Sequence, residues 1–382
     1  MNIAIFSECY EPVVNGVVVS IKTFRRELIA RGHTVYVFAP AYKGFRDEDP
    51  HVFRFASFKF PRQPDYPLAL PFRRLPPCYP ELGVELVHSQ SPFALGRLGA
   101  KAARRYDVPL VYTFHTMITE YTHYVPLPQP LLRAGARQVI RNYCALADWV
   151  IAPTSVIRDY LRELGVRTPI AVIPTGVELP PASADARQAV RERYAVPADA
   201  WLLVSAGRLA KEKNIGFLLR AFARVAERED AYLLFLGGGP WEKQSREMAR
   251  ELGIEGRVRL PGFVPHEEVA DCLAAGDLFV YASTTDTQAI VVAEALAAGL
   301  PAVAVRAFGP AEVIVDGESG VLVEEDEGRF ASEVVRLLND EGERARMSAR
   351  ARERARHFSP KVCCDKLLEV YSKALSGRGE EG

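Results

Sequence analysis

The sequence lacks the features of membrane-spanning, secreted and metal-binding proteins. Its 382 residues contain no apolar run of about 18, the length that a transmembrane helix needs. Residues 1–6 form a strand pattern with no basic segment before it, so we expect no signal peptide. The six cysteines are scattered without metal-ligand spacing, which predicts reduced thiols in a cytoplasmic protein. With 48% hydrophobic and 25% charged residues, the chain has the composition of a soluble globular protein.

Common nucleotide- and metal-binding motifs are also absent. No G-x-G-x-x-G follows the first strand, which argues against a bound dinucleotide. Residues 237–240, Gly-Gly-Gly-Pro, lack the lysine and hydroxyl of a P-loop, so we predict a turn there. There is no H-E-x-x-H, and the acid-x-acid segment 47–49 lies in a charged loop beside Arg46 and Pro50. We therefore predict solvated acids at 47–49 and no metal site.

The net charge is zero, but the charges are unevenly distributed. The first half has an excess of lysine and arginine, and the second half has a matching excess of aspartate and glutamate. A basic half predicts an anionic partner, such as a membrane surface, a phosphorylated acceptor or nucleic acid. Nucleic acid is disfavoured because no recognition motif accompanies the charge. A charge difference without a partner is the alternative.

Short apolar runs alternate with helical patterns, which predicts parallel sheets covered on both faces. In the first half the predicted strands are residues 3–6, 35–38, 86–87, 110–114, 149–152 and 171–174. The alternation then restarts, with predicted strands at residues 201–206, 232–236, 258–260, 278–281, 302–305 and 321–323. Helices are predicted at residues 21–30, 131–146 and 360–375.

Two such halves predict an α/β protein with two Rossmann-like domains facing each other across a cleft. Prolines interrupt the pattern near residues 174–176 and 179–182, so we assign residues 1–173 and 174–358 to the two domains. Residues 359–382 are expected to form a helix that crosses back to the first domain, followed by a disordered tail from Ser376. Ligands of open α/β sheets bind at the carboxyl ends of strands, so the loops after the strands are the candidate sites.

Residues 281–301 join a buried strand to a helix through a polar loop, and Gly299 and Pro301 end that helix. The helix start offers free backbone N–H groups to an anionic ligand. Asp286 lies in the loop and Glu294 about two turns into the helix, so the two carboxylates can contact different parts of one ligand. This arrangement predicts a sugar nucleotide site. An ordinary αβ unit with a solvated acid is the alternative.

Three further loops carry candidate site residues. Gly16 opens a helix after the first strand and permits close approach of an anion, although a plain Asn-Gly turn has the same sequence. His115, in the loop 113–126, either contacts a substrate or is satisfied by local backbone. Arg208 and Lys213 follow the first strand of the second half and form either a diphosphate clamp or a solvated basic loop.

Basic and apolar residues occur together in residues 59–77 and 97–105. Arg133, Arg137 and Arg141 are spaced by four, so they line one face of a predicted helix. A basic face with apolar neighbours can bind anionic lipid. A solvated helix face is the alternative.

These residues resemble the motifs of the retaining glycosyltransferases of family four, which have the GT-B fold, and the resemblance spans nearly the whole chain. It rests on Asn15-Gly16, residues 32–35 (Gly-His-Thr-Val), residues 207–214, residues 237–240 and the pair Asp286 and Glu294. Within that family, residues 113–126 and Thr287-Gln288 are similar to the 1,2-diacylglycerol 3-glucosyltransferases.

The resemblance implies a role for each matched residue. Gly16 would donate a backbone N–H to the donor diphosphate, and Arg208 and Lys213 would neutralise that group as it leaves. Glu294, the second acid of the family's E-x7-E motif, would bind the ribose hydroxyls. Asp286 replaces the first acid, which contacts the transferred sugar. Because aspartate is one methylene shorter, that contact would shift or pass through water.

The resemblance also implies the remaining contacts of the donor. His115 would contact the sugar near its 6-hydroxyl, and the base would lie near residues 262–264, which include Val264. The backbone of Gln288, Ala289 and Ile290 would hold phosphate at the helix start.

Taken together, these roles imply a hexosyltransferase that retains anomeric configuration and needs no metal or other cofactor. The implied donor is UDP-glucose, and the implied acceptor is a lipid hydroxyl, that of diacylglycerol, in membrane glycolipid synthesis. Transfer of mannose or another hexose to a phosphoinositide or a soluble sugar is the alternative. The protein would be cytoplasmic and peripheral on the inner face of the cell membrane, bound to its anionic surface through the basic N-terminal domain. No nucleic-acid partner is expected.

Overall fold

The computed structural model describes residues 1–13, 15–60, 63–69, 75–115 and 129–379, which form two compact units. Unit 1 contains Met1–Gly176 and Pro360–Gly382, and unit 2 contains Val177–Ser359. The boundaries expected after residues 173 and 358 therefore precede the observed divisions by three residues and one residue.

The strands of unit 1 are β1 (Asn2–Phe6), β2 (Thr34–Pro40), β3 (Val52–Phe55), β4 (Ser57–Phe60), β5 (Gln63–Ala69), β6 (Leu86–Ser89), β7 (Leu110–Thr113), β8 (Trp149–Ala152) and β9 (Ile170–Val172). Those of unit 2 are β10 (Trp201–Ala206), β11 (Ala231–Leu236), β12 (Val258–Gly262), β13 (Leu278–Tyr281), β14 (Ala302–Val305) and β15 (Gly320–Val323).

The helices are, in chain order, α1 (Gly16–Ala30), α2 (Ala94–Arg105), α3 (Gln129–Cys144), α4 (Ser155–Glu163), α5 (Ala186–Arg193), α6 (Ile215–Ala226), α7 (Glu242–Glu251), α8 (His266–Ala275), α9 (Ile290–Ala297), α10 (Phe308–Val313), α11 (Glu327–Asn339), α12 (Glu341–Ala355) and α13 (Pro360–Gly379). No helix in the described parts of the chain is both long enough and apolar enough to span a membrane.

Each unit is built on a parallel sheet. Unit 1 has seven strands in the order β3-β2-β1-β6-β7-β8-β9, and unit 2 has six in the order β12-β11-β10-β13-β14-β15. β4 and β5 form a separate antiparallel pair. In both sheets the strand order reverses, between β1 and β6 in unit 1 and between β10 and β13 in unit 2. Both units are therefore Rossmann-like, as predicted.

The central strands are apolar on both faces because helices cover both sides of each sheet. In unit 1 one core layer joins β1 and β2 to α1 and α13, with Leu28, Leu367 and Tyr371 fully buried. In unit 2 two core clusters pack against the sheet, and Phe222 and Phe279 belong to different clusters.

Each of the twelve predicted strands is present, with ends that differ by at most two residues. β3 was missed because Arg54 interrupts its short apolar run, and β5 was missed because it contains two prolines. β4 has only four residues, Ser-Phe-Lys-Phe, and no continuous apolar run. The disordered tail predicted from Ser376 was wrong for residues 376–379, where α13 continues and the Ser376 hydroxyl donates to the Ser372 carbonyl at 3.0 Å. Residues 380–382 lie outside the described residues.

Candidate active site

The loops after β10 and β13 carry most of the predicted site residues of unit 2. β10 leads to β11 and β12 on one side of the sheet, whereas β13 begins the run to β15 on the other. Ligands of open parallel sheets bind beyond the carboxyl ends of the strands at such a reversal. The loop after β10 contains Arg208 and Lys213, and the loop after β13 contains Asp286 and leads to Glu294 on α9.

Lys213 and Asp286 form an ion pair at this edge of the sheet. Lys213 Nζ contacts Asp286 Oδ1, and the Tyr281 hydroxyl donates to Asp286 Oδ2. The two charged side chains are only 18% and 17% exposed. Burial raises the pKa of Asp286, but the Lys213 charge and hydrogen bonds from Lys213, Tyr281 and Ser283 outweigh it, so the pKa lies below its ordinary value. Tyr281 was not assigned a role from the sequence.

The loops after β10 and β13 are also joined through the backbone. The Ser283 and Thr285 hydroxyls donate to the Glu212 carbonyl at 3.5 and 3.3 Å. Asn214, in the left-handed region with φ 54°, donates through Nδ2 to Glu325 at 2.7 Å. Arg208 is half-buried within this loop. The basic loop is thus packed against its neighbours and is not freely solvated.

Two glycines allow the loop after β11 to approach the loop that carries Arg208. A Cβ on Gly237 would lie 2.0 Å from the Gly207 carbonyl oxygen, and one on Gly239 would lie 2.3 Å from the Leu209 carbonyl oxygen. The Leu209 N–H donates to the Gly238 carbonyl at 3.0 Å. Glycine is needed here because backbone packs on backbone, which agrees with a turn at residues 237–240.

The loop after β12 contains the residues expected near the nucleotide base. Val264 is 8% exposed, whereas Phe263 is 68% exposed. The Gly237 N–H donates to the Gly262 carbonyl at 2.9 Å. The loops after β10, β11 and β12 therefore form one hydrogen-bonded edge of unit 2.

α9 begins in a tightly packed turn. Its N-cap, Ala289, is in the left-handed region with φ 56°, and Gln288 and Ala289 are only 4% and 5% exposed. A Cβ on Gly309 would lie 2.6 Å from the Gln288 carbonyl carbon and 2.7 Å from the Ala289 nitrogen, so α10 packs directly on this turn. The expected phosphate contacts, Gln288, Ala289 and Ile290, all belong to it.

Glu294 lies on α9 and differs from Asp286 in its surroundings. It is half-buried, and burial raises its pKa to about 7. Within the described part of the chain, its carboxylate makes no hydrogen bond or ion pair. Its oxygens are therefore available to hydroxyl donors of a ligand.

In unit 1, Gly16 is the first residue of α1, after the loop that follows β1. Asn15 is the N-cap, and its Oδ1 accepts a hydrogen bond from the Val18 N–H at 2.9 Å. The Asn-Gly pair is thus a helix start and not a plain turn.

His115 follows β7, and its ring is hydrogen-bonded to Gln90 at the end of β6. The distance from His115 Nε2 to Gln90 Oε1 is 2.6 Å. Burial lowers the pKa of His115 to about 4, so the ring is neutral near pH 7. This partner is a side chain that directly follows the neighbouring strand. Gln90 directly follows β6 but lies three residues beyond the end of the strand predicted at 86–87, so the strand-end rule that selected His115 did not select it.

A second polar pair lies two residues earlier on the same two strands. His88 Nε2 is 2.7 Å from the Thr113 hydroxyl, and His88 Nδ1 is 2.7 Å from the Tyr371 hydroxyl of α13. Burial, with a smaller effect of His115, lowers the pKa of His88 to about 3. Because alternate residues of a strand share a face, the two pairs lie on the same face of the sheet. Together they form a row of hydrogen-bonded polar side chains from α13 toward His115.

In the acid-x-acid segment at 47–49, Asp47 and Asp49 are ion-paired, so the prediction of solvated acids was wrong for these two, whereas Glu48 is exposed as predicted. Asp47 accepts two hydrogen bonds from Arg54, each 2.7 Å long, and is 11% exposed. Asp49 pairs with Arg25 at 2.5 Å. The error arose because both arginines lie on other elements. Among the residues that the structure describes, no group of three or more His, Cys, Asp or Glu is placed to hold a metal ion.

The three arginines of α3 are exposed along one face of the helix, as their spacing predicts. Arg133, Arg137 and Arg141 line a groove of about 630 Å³ together with Glu163 at the end of α4. Leu131, next to the groove, is 72% exposed. The face therefore combines positive charge with exposed apolar surface.

Parts of two predicted segments lie outside the described residues. They are residues 116–128, which include Glu120, Tyr121 and His123, and residues 61–62 and 70–74 of the basic apolar segment.

Two protein families match the two parts of the chain. Residues 14–179 match Glycosyltransferase Family 4, and residues 186–354 match Glycosyl transferases group 1.

Curated relatives match over most of their length. The chain is 32% identical to an alpha-monoglucosyldiacylglycerol synthase of Streptococcus pneumoniae, over 80% of this chain and 71% of the relative. It is 31% identical to the synthase of the same name from Acholeplasma laidlawii, over 86% of each chain. It is also 31% identical to a GDP-mannose-dependent alpha-mannosyltransferase of Mycobacterium tuberculosis, over 99% of this chain and 98% of the relative.

Solved structures show the same fold at lower identity. A sucrose-phosphate synthase from Thermosynechococcus elongatus has a TM-score of 0.80 at 21% identity, over 98% of this chain and 99% of that one. The Anabaena protein HepE in complex with UDP has a TM-score of 0.79 at 21% identity, over 98% of this chain and 100% of that one. With relatives above 30% identity and two parallel-sheet units of the GT-B fold, the chain belongs to the glycosyltransferases that combine a family 4 domain with a group 1 domain.

Proposed function

We propose that this glycosyltransferase moves a hexose from a nucleotide diphosphate sugar to a lipid hydroxyl, with retention of configuration and without a metal ion. The observation that carries the proposal is the Lys213–Asp286 ion pair together with the Glu294 carboxylate at one strand reversal of unit 2. We propose UDP-glucose as the donor and diacylglycerol as the acceptor. The similarity to two alpha-monoglucosyldiacylglycerol synthases supports this choice, as does the likeness of fold to a protein in complex with UDP.

The donor diphosphate binds at the basic loop and the start of α9. Arg208 and Lys213 supply the positive charge, and the backbone around Gln288, Ala289 and Ile290 supplies N–H groups. A diphosphate on Lys213 competes with Asp286 for the ammonium group, which leaves Asp286 Oδ1 to accept a hydrogen bond from a sugar hydroxyl.

The remaining donor contacts follow from the other residues of the site. Glu294 accepts hydrogen bonds from the ribose hydroxyls, and Val264 packs near the base. We assign the Gly16 backbone N–H to the diphosphate and the neutral ring of His115 to the sugar near its 6-hydroxyl.

In the transfer step, the bond between the anomeric carbon and the diphosphate oxygen breaks, and the acceptor oxygen bonds to the same face of the sugar. The acceptor's proton passes to the leaving phosphate oxygen. Negative charge grows on the diphosphate as it leaves, so Arg208, Lys213 and the backbone N–H groups bind the transition state more strongly than the ground state. One well-placed donor of this kind lowers the barrier by roughly 3–4 kcal/mol.

Unit 1 is proposed to bind the acceptor and an anionic membrane surface on the inner face of the cell membrane. Exposed cations lie along α2, at Arg97, Lys101 and Arg104, and along α3. The exposed Leu131 beside the α3 arginines adds an apolar contact of the kind that interfacial helices bury in lipid.

A second candidate function is transfer of mannose to a phosphoinositide or a soluble sugar. It is favoured by the similarity to a GDP-mannose-dependent alpha-mannosyltransferase over nearly the whole of both chains. The family has a glutamate at position 286, where this chain has an aspartate. This residue lies at the proposed sugar contact, so the substitution affects which hexose the site accepts.

The experiment is a matrix of donors and acceptors read by mass spectrometry. UDP-glucose, UDP-galactose and GDP-mannose are tested against diacylglycerol, its monoglucosyl form, phosphatidylinositol and free sugars. We expect a hexosyl-diacylglycerol from UDP-glucose. Mannosyl-phosphatidylinositol as the main product would establish the second candidate instead.

Glu294→Ala tests the site within the same matrix. We expect it to abolish transfer and to weaken nucleotide binding, because the ribose hydroxyls lose their acceptor. Glu333→Ala, which removes a half-buried glutamate from α11 in the same unit, is the matched control and should retain transfer. Normal turnover by Glu294→Ala would exclude the assigned site.

A further inference from the structure

We infer that Arg54 is a positioning residue for the loop between β1 and α1, which leads to Gly16. The inference rests on the proposed function, in which the Gly16 backbone N–H binds the donor diphosphate. In the described residues this β1–α1 loop comprises residues 7–13 and 15.

Arg54 lies near the end of β3, and its guanidinium group is largely buried, with 15% of the side chain exposed. Nε and Nη2 donate to the two carboxylate oxygens of Asp47, each at 2.7 Å. Nη1 donates to the Pro40 carbonyl at 2.8 Å, and Nη2 donates to the Glu11 carbonyl at 2.8 Å. One planar group thus joins the end of β2, the segment around Asp47 and the middle of the β1–α1 loop.

Three aromatic rings surround the same cation. The Arg54 guanidinium carbon lies 5.5 Å from the ring centre of Tyr10, 5.6 Å from that of Tyr42 and 5.5 Å from that of Phe45. These distances are in the range of cation–π contacts. Tyr10 belongs to the β1–α1 loop and is 2% exposed. Arg54 therefore holds two consecutive loop residues, one through its ring and one through its carbonyl.

The two ends of the loop are held by their own contacts. The Ser7 hydroxyl donates to the Cys9 carbonyl at 2.7 Å, and Asn15 caps α1. In the middle, the Lys22–Glu11 ion pair joins exposed side chains and contributes little. Arg54 supplies a part-buried hydrogen bond to the main chain at that point, and its fork of donors is a geometry that lysine cannot reproduce.

A loop released at Glu11 would misplace the Gly16 N–H relative to the diphosphate. Because small misplacements of a binding group have large kinetic effects, we expect donor binding to suffer first. The acceptor KM should be unaffected, since the loop is not assigned to the acceptor. A merely structural role would instead lower thermal stability and leave the ratio of the two KM values unchanged.

The test compares Arg54→Lys and Arg54→Gln with the wild-type full chain. We expect Arg54→Gln to raise the donor KM by about tenfold or more, with Arg54→Lys intermediate and the acceptor KM unchanged. UDP and GDP binding, measured by calorimetry, should weaken in parallel. Hydrogen exchange of the amides of residues 8–19 should become faster in both variants, and this readout does not depend on activity.

Arg31→Gln is the matched control. Arg31 also lies in unit 1 and bonds two carbonyls and two carboxylates, those of Glu27, Lys361 and Asp365, but it does not contact the β1–α1 loop. The Arg31→Gln variant should be less stable than the wild type but should have the wild-type donor KM.

Three outcomes are distinguished. A wild-type donor KM in both Arg54 variants, or unchanged exchange of the loop amides, overturns the inference. If Arg54→Gln does not fold, the donor KM and the amide exchange of Arg54→Lys decide whether the inference holds. If the wild-type protein binds neither nucleotide and uses no nucleotide sugar, the proposed function fails, and hydrogen exchange alone decides whether Arg54 positions the loop.

Discussion

The two carboxylates of the candidate site, Asp286 and Glu294, have opposite surroundings and therefore titrate differently. Lys213 and Tyr281 contact Asp286, and its pKa lies below the ordinary value despite burial. Burial raises the pKa of Glu294 to about 7. Asp286 is thus ionised across the neutral range, whereas Glu294 changes charge within it.

This difference predicts a pH dependence of donor binding. The Glu294 carboxyl is protonated below its folded pKa of about 7 and ionised above it. Ribose hydroxyls donate more strongly to the ionised form, so donor affinity should increase as the pH rises through this value. Calorimetric titration with the nucleotide sugar that is turned over measures this, because its diphosphate diester has no proton to lose near neutral pH.

Glu294→Gln serves as the comparison for that prediction. Glutamine has no charge to gain, so its donor affinity should be weaker and independent of pH between about 6 and 8. His115 does not interfere, because its pKa of about 4 lies below this window. The same pH dependence in Glu294→Gln would assign it to another group.

The positions of single site residues were predictable where they depend on strand ends. Arg208, Lys213, Asp286 and Glu294 follow from the rule that ligands bind beyond the carboxyl ends of parallel strands. The contacts of Tyr281 with Asp286, and of Gln90 with His115, were not predictable in the same way. They depend on side-chain directions across elements that are distant in sequence, and a pattern along the chain does not specify these.

At the scale of elements, α13 is attached to unit 1 by a buried polar contact as well as by its apolar face. Leu367 and Val370 pack in the core layer with α1. The Tyr371 hydroxyl lies 2.7 Å from His88 Nδ1, and both side chains are fully buried. An apolar helix face alone can slide along a sheet, whereas a hydrogen bond to one ring nitrogen specifies one position.

Tyr371→Phe should therefore destabilise unit 1. The substitution removes the partner of a buried ring nitrogen, which costs about 1–3 kcal/mol. Chemical denaturation, followed by hydrogen exchange of β6 and β7, measures the loss.

Tyr79→Phe is the matched control for this prediction. Tyr79 is equally buried in unit 1, but within the described residues its hydroxyl has no hydrogen-bond partner. Its replacement should be neutral or stabilising. Equal losses in the two variants would show that ring packing, and not the hydrogen bond, holds α13.

Elements were predictable where apolar runs are unbroken. The central strands are apolar on both faces, so they stand out in the sequence. β3 contains Arg54, whose charge is neutralised by Asp47 from another segment, and β5 contains two prolines. Edge and hairpin strands of this kind depend on partners that the local pattern does not show.

At the scale of the whole molecule, the positive charge of the first half is concentrated on exposed helix faces of unit 1. Changing Arg133, Arg137 and Arg141 together to glutamate should abolish flotation with anionic vesicles. Each cation near an anionic surface is worth about 1 kcal/mol, so loss of three lowers the affinity by at least about a hundredfold. Vesicles of phosphatidylcholine with and without phosphatidylglycerol measure the effect.

The matched control changes three exposed arginines of unit 2 to glutamate, namely Arg224, Arg346 and Arg350. It makes the same change in net charge and should keep flotation. Because the attraction is electrostatic, binding of the wild type should also weaken as salt increases. Flotation that survives the α3 substitutions would locate the membrane contact elsewhere.

The return of α13 to unit 1 has a consequence for synthesis on the ribosome. Unit 2 is one continuous segment, so all of it has been translated before α13 is made. A nascent chain that ends at Ser359 therefore has every residue of unit 2, while the core layer of unit 1 still lacks Leu367, Val370 and Tyr371. Although domains generally fold in the order of synthesis, here the first unit to begin is the last to be completed. We therefore expect chaperones to bind the exposed apolar face of unit 1 until α13 has left the ribosome.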